Sequence, residues 1–212
     1  MNTNFKLMRT RPLMPSRVSS YWSFLMVACT LAIGACASTP APSAQLAMSK
    51  WAVDSASAAG GDNAAVADMR MARDKLSQAN AAMAAKDHDT ARWLAQEAEV
   101  DAQLAGVKAR SAGASKVPVK PQDANRVLPG VGDLTLLDQA RSEVRLAQGN
   151  PQTTEWAAAE LQRSLDALAK ANDAFARNDN PAEVDHWAYM TKRYAAIALE
   201  VTRQRSAQQV VG

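Results

Sequence analysis

Asp74-Lys75-Leu76-Ser77-Gln78-Ala79-Asn80-Ala81-Ala82-Met83-Ala84-Ala85-Lys86-Asp87 and Asp166-Ala167-Leu168-Ala169-Lys170-Ala171-Asn172-Asp173-Ala174-Phe175-Ala176-Arg177-Asn178-Asp179 lie 92 positions apart in this chain of 212 residues. Asp, Leu, Ala, Asn, Ala, Ala and Asp coincide at that offset, and after a slip of two residues Trp93 meets Trp187. Similarity at a fixed period marks one supersecondary unit used twice. Around each copy the order is the same: a shorter helix, a glycine stop, then two longer helices. The reading is therefore all-α: an Ala-rich, elongated helical bundle built from two three-helix repeats.

Working outward, 42 of the 177 residues from Cys36 onward are alanine, interleaved with Lys, Arg, Glu, Gln, Leu and Met, all good helix formers. Met69, Ala72, Leu76, Ala79 and Met83 step by three and four, as do Leu161, Ser164, Leu168, Ala171 and Phe175. Such seams suit coiled-coil-like packing against a neighbour. Ala91, Ala95, Ala98, Ala102, Ala105, Ala109 and Ala112 form a seam of small residues that permits close backbone approach, with Trp93, Val100, Leu104 and Val107 beside it. The matching stripe of the second repeat is bulkier, with Trp187, Met190, Tyr194, Ile197 and Val201.

Gly60-Gly61-Asp62-Asn63 and Gly149-Asn150-Pro151 are predicted to stop the shorter helices, glycine taking the left-handed terminal conformation. Lys86-Asp87-His88-Asp89 and Asn178-Asp179-Asn180-Pro181 supply Asp or Asn as caps for the last helix of each repeat. Gly113 to Gly132, with Pro118, Pro121 and Pro129, reads as a linker. Helical repeat 1 is thus assigned to 44–112, the linker to 113–132 and helical repeat 2 to 133–209. Helices of about 22 residues would be about 33 Å long. The repeats could stand as two three-helix units, merge into one bundle or stack as a short solenoid.

The charge belongs to the leader. Formal net charge is +3, but Lys6, Arg9, Arg11 and Arg17 all precede Cys36 and no acid does, leaving 20 bases against 21 acids. Such a balance gives no electrostatic reason to expect a nucleic-acid partner. The basic stretch, an apolar run from Tyr21 to Ile33 and small residues before Cys36 follow the plan of a secretory signal, and the run is short of the roughly 20 apolar residues of a membrane span. Ile33-Gly34-Ala35-Cys36 resembles the bacterial lipobox. That resemblance implies a lipoprotein signal peptide at 1–35, cleavage before Cys36 and acylation of its thiol. Two or three acyl chains would then hold the protein to the lipid bilayer, each buried methylene adding roughly 0.8 kcal/mol. Residues 36–43, small and broken by Pro40 and Pro42, read as the lipidated cysteine and a flexible tether. With no Asp following Cys36, analogy with enteric lipoproteins implies the outer membrane, facing the periplasm. Cys29 falls in the removable run, so no thiol is left for a disulfide.

With the lipobox, the Ala79-Asn80-Ala81-Ala82-Met83 segment before the turn and Glu97-Ala98-Glu99-Val100-Asp101-Ala102-Gln103-Leu104-Ala105 after it, the chain resembles bacterial lipoproteins of the domain-of-unknown-function 4398 type. That family offers no catalytic residues to carry over. His88 and His186 are too few and too far apart for a metal site, and are expected to be solvated near helix starts. No glycine-flanked serine elbow or phosphate loop is present, so no enzyme and no cofactor is expected. Trp51, Trp93, Trp156 and Trp187 are expected to fill gaps left by alanine, with Trp93 and Trp187 as candidate partner contacts. Arg70, Arg73, Lys75 and Arg92 are expected on a solvated face. The functional expectation is a membrane-anchored envelope lipoprotein acting as a non-enzymatic structural or protein-interaction module with a protein partner in the envelope. The alternative is an accessory factor holding a peptidoglycan fragment, lipid or other small ligand between its helices.

Overall fold

The computed structural model describes residues 41–114 and 135–211. The signal sequence, Ile33 to Cys36, most of the tether and nearly all of the 113–132 linker lie outside the described residues. Among these there are eight helices: α1 (Ser43–Ala58), α2 (Gly61–Ala64), α3 (Val66–Ala84), α4 (His88–Ala114), α5 (Leu136–Gln148), α6 (Pro151–Trp156), α7 (Ala158–Ala176) and α8 (Pro181–Val211). No strand occurs among the described residues, and none of the helices is long and apolar enough to cross a membrane. The all-α bundle is thus as expected, with each repeat holding one element more, a short helix (α2 or α6) between the glycine stop and the long hairpin.

The two breaks that create these short helices are the same structure twice. Ala65 (φ −141°, ψ 49°) and Ala157 (φ −127°, ψ 34°) bend the chain 92 residues apart. Their N–H groups still reach the carbonyls of Gly61 and Thr153, and their own carbonyls accept from Met69 and Leu161. The pivot residue keeps both its own backbone bonds, and because it is alanine rather than proline or glycine the sequence carries no punctuation there. At the preceding stop, Gly60 takes φ 89° and a Cβ on Gly61 would meet the Ala56 carbonyl at 2.8 Å, so both glycines are required. Gly149 does not behave alike: at φ −69° it is right-handed, a correction to the symmetrical expectation. There Asn150 caps the next helix, its side chain accepting from Gln152 N–H, with Pro151 in the first turn.

The hairpin turns repeat too, then diverge by one residue. Lys86 (φ 63°) and Asn178 (φ 54°) are left-handed, and Asp87 N–H to Ala82 and Asp179 N–H to Ala174 close the same six-residue C-terminal loop. In the first repeat Asp87 is also the next N-cap, accepting from Thr90 N–H. The second repeat inserts Asn180 for that task, accepting from Ala182 N–H. Buried Ala95, Ala98, Ala102, Ala105 and Ala109 of α4 therefore correspond to buried Ala188, Thr191, Ala195, Ala198 and Thr202 of α8 at an offset of 93. His186 takes the place of Trp93. Trp187, matched to Trp93 by identity, lies one position further round the helix, about 100° away.

Ion pairs and hydrogen bonds fix the directions. Gln45 meets Glu99, and a Cβ at Gly106 would sit beside Ala56, so α1 runs parallel to α4. Glu97 meets His186 and Asp101 meets Arg193, so α4 runs parallel to α8. Lys192 meets Gln139 while Ala147 packs with Ala195 and Ala198, so α5 is parallel to α8. Asp68 with Lys108 and Ser164 with Thr191 make α3 and α7 antiparallel to their partners. The two repeats thus form one bundle around the central α4–α8 pair, with α1 and α3 on α4 and α5 and α7 on α8. Exchanging the repeats maps this arrangement onto itself.

Most seams hold. Met69, Ala72 and Ala79 are buried, as are Leu161, Ser164 and Ala171, but Phe175 is 62% exposed, and the last turn of α7 buries Ala174 instead. The α4 alanines are fully covered up to Ala105, and Ala112 is exposed. Small side chains contribute little area each, near 25 cal/mol per Å², so closeness matters more than bulk. Ala102→Leu, at the meeting of α4 with α1 and α3, is expected to lower stability by about 1–3 kcal/mol through overpacking. Ala112→Leu should change it by less than about 0.5 kcal/mol; paired urea melts check both.

Candidate functional site

Two grooves flank the central helix pair, and the repeat relation carries one onto the other. The first, on the α3 side, is filled by charge. Asp101 is fully buried. Its carboxylate is 2.6 Å from Arg193 Nε and 3.2 Å from Lys75 Nζ, and accepts from the Tyr189 hydroxyl at 2.6 Å. Asp68, 1% exposed, pairs with Lys108 at 2.6 Å and Arg193 Nη1 at 3.2 Å. Lys75 also pairs with Glu97 at 2.9 Å and lies 3.2 Å over the Tyr189 ring. Three carboxylates thus face three cations, with α3, α4 and α8 all contributing. Lys75 is consequently not on a solvated face, unlike exposed Arg70 and Arg73.

His186 closes this cluster at its upper end and is the largest correction to the sequence reading. It is 2% exposed, not solvated. The one-residue insertion before α8 turns it inward, where Nδ1 lies 3.0 Å from Glu97 Oε1 and Nε2 3.0 Å from the Gln96 amide. Trp93 stacks on it at 5.8 Å and Trp187 meets it edge-on at 4.9 Å. Both candidate contact tryptophans are half-buried, bracketing one histidine. Trp51 is 66% exposed and so is no core filler. His88 is half-buried at the start of α4.

The electrostatics of the cluster are opposed. Burial raises the Asp101 carboxyl above its ordinary value, even against Arg193 and Lys75. Burial also works to raise Glu97, but hydrogen bonding to His186 and the charge of Lys75 win, and its carboxyl lies below the ordinary 4.5. The Tyr189 phenol is pushed up by burial and by the Asp101 carboxylate, so it stays a hydroxyl donor.

The second groove, between α1 and α7, is open. A cavity of about 320 Å³ is lined by Val100, Gln96, Ala167, Met190, Trp187 and Tyr194 among others. It runs on, through shared Gln103 and Arg163, into one of about 260 Å³ beside Trp51, Ile197 and Val201. A third cavity of about 360 Å³ lies by Trp93, Leu94, Leu136 and His186. Trp93 and Trp187 thus face different spaces.

The sequence profile of a family described as a domain of unknown function, DUF4398, matches twice, over residues 44–118 and 135–212. The chain belongs to that family. Each match covers one structural repeat, so DUF4398 here corresponds to the unit of short helix, bend and long hairpin. No match is found among curated proteins or among solved structures. Among the described residues no group of three or more His, Cys, Asp or Glu could hold a metal.

The buried cluster left little trace in the sequence, because Asp68, Lys75 and Asp101 sit in helical stretches rich in other charges. Arg193→Met is expected to cost about 3–5 kcal/mol by leaving buried carboxylates short of a partner. Arg193→Met with Asp101→Asn should recover part of that in a double-mutant cycle of urea melts, whereas strict additivity would mean the two are not coupled. Because the fold lowers Glu97, its ionised form contributes stability above the ordinary carboxyl value and loses it as pH falls through the depressed one. The melting-temperature gap between the native chain and Glu97→Gln should therefore be steady near neutrality and narrow below about pH 4.5. Asp101 titrates with the opposite sign, so the difference, rather than either acid profile alone, isolates Glu97.

Proposed function

We propose that this chain is a lipoprotein of the bacterial envelope, acylated on Cys36 after cleavage behind Ile33-Gly34-Ala35, and that it acts there as a non-enzymatic interaction module facing the periplasm from the outer membrane. What supports the structural part of the reading is the use made of the chain's buried charge. Arg193 of repeat 2 pairs with both Asp68 and Asp101 of repeat 1, and Lys75, Lys108 and Glu97 complete the cluster around them, which suits a rigid scaffold. What supports the anchored part is the sequence before the bundle, together with the position of α1. Its first residue, Ser43, is seven residues past Cys36, at most about 25 Å of extended chain. The bundle would stand close to the membrane, with Met48 and Trp51 of α1 exposed (52% and 66%).

The ligand reading is kept for one specific reason, the open groove with Trp187 and Tyr194 on its floor, since concave, partly apolar clefts are where small molecules bind.

Growth with a clickable palmitate analogue is expected to label the native chain and not Cys36→Ala, and the alanine variant should leave the outer-membrane fraction. Photocrosslinking from Met48 and Trp51 should then capture an envelope protein from the native chain only. An unlabelled native chain, or a mature form beginning upstream of Cys36, would remove the anchoring reading.

A further inference from the structure

The repeat relation carries one groove onto the other, and the two differ position by position. With the offsets of 92 in the hairpin arm and 93 in the central helices, Lys75 of the filled groove corresponds to Ala167. Arg193 corresponds to Val100, Tyr189 to Gln96 and Asp101 to Tyr194. All four counterparts line the cavity of about 320 Å³. Where one groove places a lysine and an arginine that reach across and pair, the other places Ala167 and Val100, which cannot, and the Gln96 amide is engaged by His186. The space is therefore a built feature: at the two positions that carry the bridging cations of the other groove it holds Ala167 and Val100, too short and too apolar to close it.

From this geometry we infer that the α1–α7 groove is a binding site for a neutral sugar chain carrying hydroxyl and acetamido groups. The inference deepens the ligand reading above and does not depend on Cys36. Its charged lining balances, Arg110, Arg163 and Lys170 against Glu99, Glu160 and Asp166. A polyanion, which needs a basic track, gains nothing there. A peptide strand finds no sheet edge, because the walls are helices whose backbone groups are already bonded. What the groove does offer is amides and rings. Gln45 and Gln103 each donate to Glu99, at 2.6 and 3.0 Å, which fixes their side chains and leaves their carbonyls and second N–H groups for a ligand. Trp51, Trp187 and Tyr194 supply aromatic surface at intervals along the floor. The C–H face of a pyranose, weakly positive, sits on the negative face of such a ring, while its equatorial hydroxyl and amide substituents point sideways to the glutamines. The exposed Lys170 ammonium, now 4.2 Å over the Trp187 ring, can swing off to free that face. From Gln96 to Arg110 the lining follows α4 for fourteen residues, about 21 Å, so the groove accepts an oligomer rather than a single ring.

The test uses the full chain purified from its host in a polyoxyethylene detergent, labelled with 5-fluorotryptophan and titrated with N-acetylglucosamine oligomers of one to six sugars. The fluorine resonances of Trp187 and Trp51 are expected to shift, with those of Trp93 and Trp156 unmoved, and affinity should rise at least roughly tenfold from the disaccharide to the tetrasaccharide. Gln103→Ala and Gln45→Ala, both half-buried in the groove lining, should each weaken binding at least tenfold with the melting temperature retained. Shifts confined to Trp93, no shift with any oligomer, or shifts produced only by phosphatidylglycerol vesicles or by an unstructured peptide would each overturn the inference. Palmitate labelling is read separately, so a failure of anchoring and a failure of sugar binding cannot be confused.

Discussion

Everything in this bundle turns on the carboxylate of Asp101. It has no exposed surface, and a lone carboxylate in such a place would cost several kcal/mol. Repeat 1 supplies only Lys75 to offset it. The remainder, the Arg193 guanidinium and the Tyr189 hydroxyl, comes from repeat 2. Either repeat alone would strand a charge. The pair is therefore held together less by apolar area, which alanine supplies sparingly, than by the penalty of parting. Buried ionic groups of this kind are better evidence for register than for raw stability, and register is what two parallel helices that meet along small side chains most need.

The alanine series and the charge cluster depend on each other. Ala95, Ala98, Ala102 and Ala105 have no exposed surface, and their small size brings the backbones of neighbouring helices close. In α8 the same positions include Thr191 and Thr202, whose hydroxyls donate to the carbonyls of Trp187 and Ala198 four residues back, so polarity enters without an unpaired group. Close approach on this side draws the long side chains of Lys75, Lys108 and Arg193 within reach of carboxylates on other helices. On the opposite side the same spacing, given shorter side chains, leaves a groove.

The all-helical class, the duplication, the seams of three-and-four spacing and the Asp and Asn caps were legible because each is a local pattern repeated over many residues. The bends at Ala65 and Ala157 were not, since alanine has no preference for such a geometry and tertiary packing imposed it. Nor was the place of His186. Matching Trp93 to Trp187 by identity gives a slip of two residues, whereas the chain inserts one, Asn180, and on a helix one residue is the difference between solvent and interior. Tryptophan's general tendency toward burial also misled at Trp51, where the neighbouring helix face is a groove rather than a core. The leader, the lipobox and the linker were read from sequence and lie outside the described residues.

Four of the six long or mid-length helices, α1, α4, α5 and α8, run the same way, against α3 and α7. In an up-and-down bundle peptide dipoles cancel; here they add, leaving a positive pole at the end where α1 begins. Acids in the first turns of three of these helices, Asp89, Asp138 and Glu183, sit against that pole, while Arg110, Arg203 and Arg205 lie towards the other end, where α4 and α8 finish. Full side-chain charges therefore oppose the summed backbone dipole at both ends, which lets four helices lie parallel without the fields of their peptide groups going unanswered.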